Sequence, residues 1–539
     1  MKLFCPICNT TYDALDGHLI CPNSSPKHTH PLQKCFNTSD ASLSLEVIAE
    51  RWNAGENGYS IFRECLGSFA IARETGCEQS WLSFLQNLES NARKIHPAGF
   101  DPTPLVSTKV LAKQLGYRGG LYAKNETKTI LGSHKARHAI ASILYLEAIR
   151  KAKNNSNKSP LAIFSCGNAA LGAAAIAKAA NYTLYTFVPA TLSSEIESLL
   201  SNMDAYVVKV KREGAVGQGD PCNNLYQKSI REFCWTAFSC YGHDLWASIE
   251  GAEVMALELA VQVALEQTPP ERLARSGFDK AKLDSVIVQV GGGGLANGTI
   301  VGLRTAVTLG LLHQLPRIFL AQTESCYPLA ESYVAIIKRI VSKTQLGSAK
   351  LKHAFNTTNT LNLLKNHTNE LQQLAQEIAK SFSSANVQNI LAEVAAQRGN
   401  YFLPWSNNEP HSIAEGILDD TTYDGFEIAT AMLETGGIPC TLSEDELAAG
   451  WKLGCETTRL NVSATGTAGL SALISLQKSG AIKLGQNTAI LFTGVESRIA
   501  KEKIKDENVV TMRQTDTEIF LSLPTLANQG SHCCTKTAK

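Results

Sequence analysis

Lys135 is the residue in this sequence best placed to do covalent chemistry. It stands in Asn125-Glu-Thr-Lys-Thr-Ile-Leu-Gly-Ser-His-Lys135-Ala-Arg-His138, just ahead of an apolar run from Ala139 to Leu146 that reads as a helix. Leu131-Gly132-Ser133 makes a helix entry with Ser133 as the capping side chain, which puts Lys135 in the first turn. There the positive end of the helix dipole disfavours an ammonium. A lysine held as a free amine is the nucleophile that carbonyl chemistry needs. On this stretch alone, a surface lysine opening an ordinary helix is the better description.

Three later segments change that. Leu161-Ala-Ile-Phe164 reads as a short buried strand that runs directly into Ser165-Cys-Gly-Asn-Ala-Ala-Leu-Gly172. In an open parallel sheet, ligands bind at the carboxyl ends of strands, which is where Ser165 to Asn168 falls. Leu283 to Val290 is a second buried strand, and it ends in Gly291, Gly292, Gly293 and Gly294 before a helix that begins near Leu295. Bare backbone N–H groups at such a strand-to-helix turn form a cradle for phosphate. The turn is neither a Gly-x-Gly-x-x-Gly fingerprint nor a Walker loop, and a plain tight turn is the alternative. Near the C-terminus, Val462-Ser-Ala-Thr-Gly-Thr-Ala-Gly-Leu470 introduces an Ala/Leu-rich helix.

The elements that must position these residues alternate strand and helix, the pattern of a parallel sheet. Strands are predicted at Gly120 to Asn125, Leu184 to Pro189, Ala205 to Val210 and around Phe319, with a last one, Thr488 to Gly494, closing the sheet. Glu250 to Leu265 reads as a long helix. The expected organisation is a small module at 1–38, a helical extension at 39–98, a main region at 99–505 and a tail at 506–539. Within the main region a small subdomain runs from about 135 to 245, and a polar, helix-prone insertion from about 338 to 384. The tail reads as polar and frayed.

The 539 residues, 44% hydrophobic and 18% charged, suit a globular chain with a large core. A formal net charge of +1 gives no basis for a nucleic-acid or membrane-surface partner. No stretch approaches the run of about 20 apolar residues that spans a bilayer, and Met-Lys-Leu-Phe-Cys-Pro lacks a secretory apolar core. The 15 cysteines are odd in number and mostly single, so a reducing, cytoplasmic setting is expected.

Cys5-Pro-Ile-Cys8 can present two thiolates to one tetrahedral metal ion, as zinc knuckles do. Cys21 and Cys35 complete the expected ligand set, with His28 or His30 as alternatives for the fourth position. The module therefore reads as zinc-ribbon-like, with a degenerate ribbon as the plainer alternative.

Together, the helix-start lysine, the Ser-x-Gly-Asn loop, the tetraglycine and the late Ser/Thr segment resemble, in order, the fold type II pyridoxal-phosphate (PLP) enzymes. That superfamily, typified by the tryptophan synthase β chain, includes threonine and serine dehydratases and threonine synthase. The resemblance covers roughly residues 99 to 498. It implies an α/β fold of two three-layer αβα domains with mostly parallel sheets, carrying PLP. Lys135 then supplies the amine for the cofactor's aldehyde and, once displaced, the base at the substrate's α carbon. The phosphate falls to Gly291, Gly292, Gly293, Gly294 and Leu295, and Asn168 meets the 3′ oxygen. Ser165, Gly167, Asn168 and Ala169 surround the substrate carboxylate. Thr465 meets the pyridine nitrogen, with Ser463 as the alternative because the family's Glu-Pro is missing here.

Lys135-Ala-Arg137 and Ser165 to Gly172 resemble the dehydratase motifs most. The implied reaction is α-proton abstraction and β-elimination from a small amino acid, giving a keto acid and ammonia. A threonine-synthase-like or tryptophan-synthase-like replacement is the alternative, and an inactive cofactor-binding homologue a further one. His134 departs from the dehydratase pattern and is expected to pack without a proton role. Glu324 and Asp420 are polar residues near strand ends that could orient substrate. A homodimer is implied.

Overall fold

The computed structural model describes residues 1–25, 29–35, 43–211, 221–276, 278–407, 409–496 and 509–513. In chain order the strands are β1 (Lys2–Cys5), β2 (Thr10–Asp13), β3 (Gln33–Lys34), β4 (Leu105–Val106), β5 (Leu121–Asn125), β6 (Leu161–Phe164) and β7 (Leu184–Pro189). Then come β8 (Tyr206–Lys211), β9 (Thr236–Ala237), β10 (Ser285–Gln289), β11 (Arg317–Thr323), β12 (Pro439–Leu442), β13 (Thr488–Phe492) and β14 (Val509–Arg513). They form a six-stranded sheet ordered β12-β11-β10-β13-β5-β4, a five-stranded sheet ordered β14-β8-β7-β6-β9, and a three-stranded sheet ordered β2-β1-β3. The five-stranded sheet is parallel throughout, and in the six-stranded sheet only the β4–β5 pair is antiparallel. This is the α/β architecture expected from the strand–helix alternation.

Parallel strands flanked by helices are buried on both faces, so they read as continuous apolar runs. Ser285–Gln289 and Thr488–Phe492 are buried at every position. The helices between the sheets follow the same logic. Lys135–Ala152 and Glu250–Gln267 bury residues around nearly their whole circumference, as a helix inside a large core must.

Two sequence expectations are corrected here. Thr488–Phe492 does not close the sheet; β13 lies inside it, hydrogen-bonded to both β10 and β5. Sequence order misleads because a parallel sheet is filled by crossovers. The tail is not wholly frayed: Val509–Arg513 adds to the edge of the small sheet, in register with β8 from Val207 to Lys211. Its Val-Val-Thr-Met run is short but suits an edge strand, and the rest of the 506–539 tail lies outside the described residues. The expected insertion is helical, with Ala349–Thr357, Thr360–Asn366 and Thr368–Lys380 following Pro328–Lys343. No helix among the described residues is long and apolar enough to cross a membrane.

The lysine helix is anchored by a buried ion cluster. Arg137 donates through Nε to Glu126 at 2.6 Å and through both terminal nitrogens to Glu258 at 2.8 and 2.9 Å. Lys124 of β5 reaches the same Glu258 at 2.7 Å. All four side chains are 5% exposed or less. Breaking such a pair strands a buried charge, at a cost of about 3–5 kcal/mol. Arg137, which supported the dehydratase likeness, therefore serves the fold.

Candidate active site

Four chain segments converge at the carboxyl ends of the central strands. β10 runs into Gly291–Gly294, β13 into Thr493 and Gly494, β5 into the 3₁₀ turns that lead to Lys135, and β6 into the Ser165 loop. The turn before Lys135 is sharp: Leu131 and Gly132 adopt φ of 54° and 71°. Ser133 is not the cap proper. His134 holds that position without a side-chain bond, while the Ser133 hydroxyl accepts the Lys135 N–H at 3.4 Å. The His134 N–H and Nδ1 both lie 3.1 Å from the Thr493 carbonyl, tying the lysine segment to the end of β13.

Burial lowers the His134 imidazole to about 3 and holds it neutral, with the neighbouring Lys135 acting in the same direction. Its ring packs edge-on to His138 at 5.8 Å, and His138 bonds the Ser248 carbonyl at 2.8 Å. Both imidazoles are thus buried and bonded to backbone carbonyls.

The tetraglycine accepts no side chain. A Cβ on Gly291 would run into the Asp419 carboxylate, on Gly292 into the Tyr241 ring, and on Gly294 into the Cys240 carbonyl. Gly293 has φ of 100°, in the left-handed region that favours glycine. What the cradle grips is a carboxyl oxygen: the Gly292 N–H donates to Asp419 Oδ2 at 2.7 Å. Tyr241 donates its hydroxyl to the other oxygen, Oδ1, at 3.3 Å. Lys135 Nζ lies 5.6 Å from the Tyr241 ring centre. Cradle, lysine, tyrosine and carboxylate thus occupy one site. Burial raises the Asp419 carboxyl above the ordinary carboxylate range, while Lys135, the Gly292 N–H and the Tyr241 hydroxyl pull it back.

The Ser165 loop closes the other side. Asn168 opens the helix Asn168–Ala179, and its amide Nδ2 lies 3.4 Å from where a Gly494 Cβ would be, with the Ser133 hydroxyl at 3.7 Å. Gly172 on the same helix packs so closely on the lysine helix that a Cβ there would lie 2.8 Å from the Ala136 nitrogen. Ser165, Gly167, Asn168 and Ala169 are half-buried, as residues at a cleft are, and Leu295 is buried one step behind the cradle.

Thr465 and Ser463 are both engaged. The Thr465 hydroxyl accepts the Gly416 N–H at 3.0 Å, while Ser463 caps its helix by accepting the Gly466 N–H at 2.9 Å. Sequence reasoning missed Thr493, whose buried hydroxyl accepts from the Gln289 amide at 2.9 Å. It also missed Asp419 and Tyr241. Asp420, the sequence candidate, is exposed, and its neighbour Asp419 faces the cradle. Two adjacent aspartates give no sequence signal for which one turns inward. Glu324 pairs with Lys365 of the helix Thr360–Asn366, which accounts for it structurally.

The metal ligands need one correction. Cys5, Cys8, Cys21 and His30 place their ligand atoms within 4.8 Å of one another. Cys35 is exposed at the end of β3, where its N–H donates to the Lys2 carbonyl at 3.0 Å. β3 pairs with β1 and carries Cys35 past the cluster, whereas the loop bearing His30 folds over it. His28 lies outside the described residues.

Residues 98–382, over half the chain, match the family model of pyridoxal-phosphate dependent enzymes. The chain belongs to that family. Its fold is type II, with a lysine, a glycine cradle and an Asn-bearing loop brought together at the carboxyl ends of strands from both large sheets, and the donor set fits the cofactor. Gly292 already donates to a carboxyl oxygen, and the glycines leave room for nothing bulkier than backbone. Among solved structures the chain is similar to maize serine racemase, at 15% identity and TM-score 0.48, over 77% of this chain and 94% of that one. It is also similar to the processed form of threonine deaminase isoform 2 from Solanum lycopersicum, at 13% identity and TM-score 0.46, over 84% of this chain and 94% of that one. A fungal L-serine ammonia-lyase from Rhizomucor miehei is similar at 16% identity and TM-score 0.48, over 73% and 94% of the two chains. Likenesses this distant do not distinguish one reaction from another. None of the curated protein sequences matches the chain.

Proposed function

We propose that this family member is a lyase that removes the β substituent of a small amino acid, releasing a keto acid and ammonia. The observation that carries the reading is the pairing of opposite chemistries in one site. An amine, Lys135, and a carboxyl that burial biases towards its protonated form, Asp419, stand around the same tyrosine ring. A group that can take a proton and one that can deliver it, held in one site, are what removal of an α proton and departure of a β substituent require.

Bound PLP supplies the electron sink that makes the substrate's α proton acidic. The chain's own groups do the rest in this reading. Gly291 to Gly294 and Leu295 hold the phosphate through backbone N–H groups, and Asn168 meets the ring's 3′ oxygen. Thr465 offers the ring nitrogen a hydroxyl, and Thr493 is the second hydroxyl near the cradle. Ser165, Gly167, Asn168 and Ala169 orient the substrate carboxylate. Lys135 holds the cofactor and, when displaced by substrate, takes the α proton through Nζ. Asp419 delivers a proton to the departing hydroxyl or amine. His134 and His138 take no part, being neutral and bonded to carbonyls. We also expect a homodimer and a cytoplasmic setting.

The test is an absorbance spectrum of the purified protein with PLP, followed by a panel of L- and D-amino acids. The expected result is a cofactor band, abolished as a borohydride-stable link in Lys135→Ala, and keto acid released from one or a few substrates. Racemisation or side-chain replacement without keto acid would overturn the lyase reading while leaving the cofactor. Absence of any band would overturn both.

A further inference from the structure

The feature that the proposed reaction leaves unused is the cysteine–histidine cluster of the N-terminal module. We propose that Cys5, Cys8, Cys21 and His30 bind one zinc ion in a closed tetrahedral site, and that this ion holds the module against the helix that bears Lys135.

The four donor atoms lie within 4.8 Å of one another, close enough to share one ion. Cys8 Sγ lies 3.8 Å from Cys21 Sγ and 3.1 Å from His30 Nδ1. Zinc–sulfur bonds of about 2.3 Å in a tetrahedron place two sulfurs about 3.8 Å apart. No disulfide forms among these cysteines, all of which are free. The turn from Cys5 to Cys8 is closed by the Cys8 N–H donating to Cys5 Sγ at 3.3 Å, which aims both thiols at one point. A second layer supports them. The Tyr12 hydroxyl lies 3.2 Å from Cys21 Sγ, and the Asn23 amide donates to Cys8 Sγ at 3.5 Å. Metal sites are commonly buttressed in this way. The loop bearing His30 is itself pinned: the Cys21 N–H donates to the His30 carbonyl at 3.0 Å, and the His30 N–H to the Ser24 hydroxyl at 2.9 Å.

Three thiolates and an imidazole select a soft or borderline ion, and four protein ligands leave no open position for catalysis. The site is structural. A three-stranded sheet with strands of four, four and two residues is far too small to hold itself together by burial.

What the ion would hold in place is specific. Tyr145, on the lysine helix, donates its hydroxyl to the His18 carbonyl at 3.0 Å, and Trp246 Nε1 donates to the same oxygen at 3.2 Å. The Trp246 backbone N–H donates to the Leu19 carbonyl at 3.2 Å. The two rings meet edge-on at 4.8 Å. Both accepting carbonyls belong to the chain that runs from β2 into Cys21. From the other end of the module, Lys34 reaches Glu250 at 2.8 Å and Glu253 at 2.7 Å, with all three side chains 8% exposed or less. The cluster therefore sits between two sets of buried contacts, one to the lysine helix and one to the helix Glu250–Gln267.

The experiment is metal analysis of the full-length protein, followed by hydrogen exchange before and after the ion is removed with a thiol-specific mercurial and chelator. We expect one zinc per chain, lost in Cys8→Ser and His30→Ala and kept in Cys35→Ser. Cobalt exchanged for the zinc should give the visible bands of a tetrahedral thiolate site. Should Cys8→Ser not fold, His30→Cys, which restores four soft ligands, is expected to fold and keep the ion. Removal should speed exchange at least tenfold in residues 17–25 and around Trp246. A protein without metal after refolding in zinc, or one whose zinc is lost in Cys35→Ser and kept in His30→Ala, overturns the ligand set. Unchanged exchange after removal overturns the holding role. None of these readouts depends on the reaction proposed above.

Discussion

At the scale of single residues, Asp419 is the most informative side chain in the site. Its carboxylate takes the Gly292 N–H, a donor that the cofactor phosphate needs as well. Any negative charge on Asp419 repels the phosphate that shares its donor, so removing the ionisable group should help the cofactor bind. If Asp419 also protonates the leaving group, removing its acidity should slow turnover. Asp419→Asn is therefore expected to lower the PLP dissociation constant about tenfold, roughly 1.4 kcal/mol. The same change should cut kcat by at least about a hundredfold, the lower end of what general acid catalysis contributes. Titration with PLP measures the first effect and keto acid release the second. Weaker cofactor binding would make Asp419 part of the cradle, and an unchanged kcat would remove it from the chemistry. Asp419 was invisible in the sequence because its direction depends on where the segment between the 3₁₀ turn Glu415–Ile417 and Tyr423 is held. Lys135 and Gly291–Gly294 were legible because each depends on its neighbours in sequence. A lysine at a helix start and glycines after a buried strand have meaning before any tertiary contact is known.

At the scale of elements, the start of the lysine helix is built to exclude protons. His134 is held at about 3 against an ordinary 6.5, and His138 is pushed in the same direction, in both cases mainly by burial. Below pH 6.5 the unfolded chain takes up a proton at His134 that the folded chain refuses. The stability this residue confers is thus complete above 6.5 and is lost as the pH falls towards 3. Between about pH 7.5 and 5 the loss from His134 should be about 2 kcal/mol. His134→Gln lacks that titration, so its urea unfolding free energy should fall by about that much less over the same interval. An equal fall in the two proteins would place the acid sensitivity elsewhere. The Lys-x-Arg pattern teaches the opposite lesson to the tetraglycine. It resembled a reaction motif in sequence, but Arg137 lies in an ion cluster with Glu126 and Glu258, residues 11 and 121 positions away. Only the folded chain brings those carboxylates to it.

At the scale of the whole molecule, the N-terminal strands and the segment Val509–Arg513 both add to the architecture that carries the site. The N-terminal strands dock on the helices that carry Lys135 and Glu250, and Val509–Arg513 completes the small sheet. Sequence reading set aside the last stretch because five residues with no periodic partner nearby look like a tail. Its partner, β8, lies far upstream, at Tyr206–Lys211, so only the sheet edge reveals it. Without β14, strand β8 becomes an edge with a row of unpaired backbone groups, the kind of surface that proteins protect. At roughly 0.5–1.5 kcal/mol for each lost backbone hydrogen bond, a chain ending at residue 505 should lose on the order of 2–3 kcal/mol. The loss should be local. Amides of Tyr206–Lys211 should exchange at least tenfold faster than in the full chain, while those of β10 and β13, in the other sheet, keep their protection. Since Lys135 and the tetraglycine follow strands of that other sheet, the truncated protein should still form its borohydride-stable link to PLP. Equal protection of β8 in the two proteins would show that the C-terminal strand does not pair in solution. Loss of protection throughout would show instead that the two sheets unfold as one unit, with the small sheet's edge holding up the site from a distance.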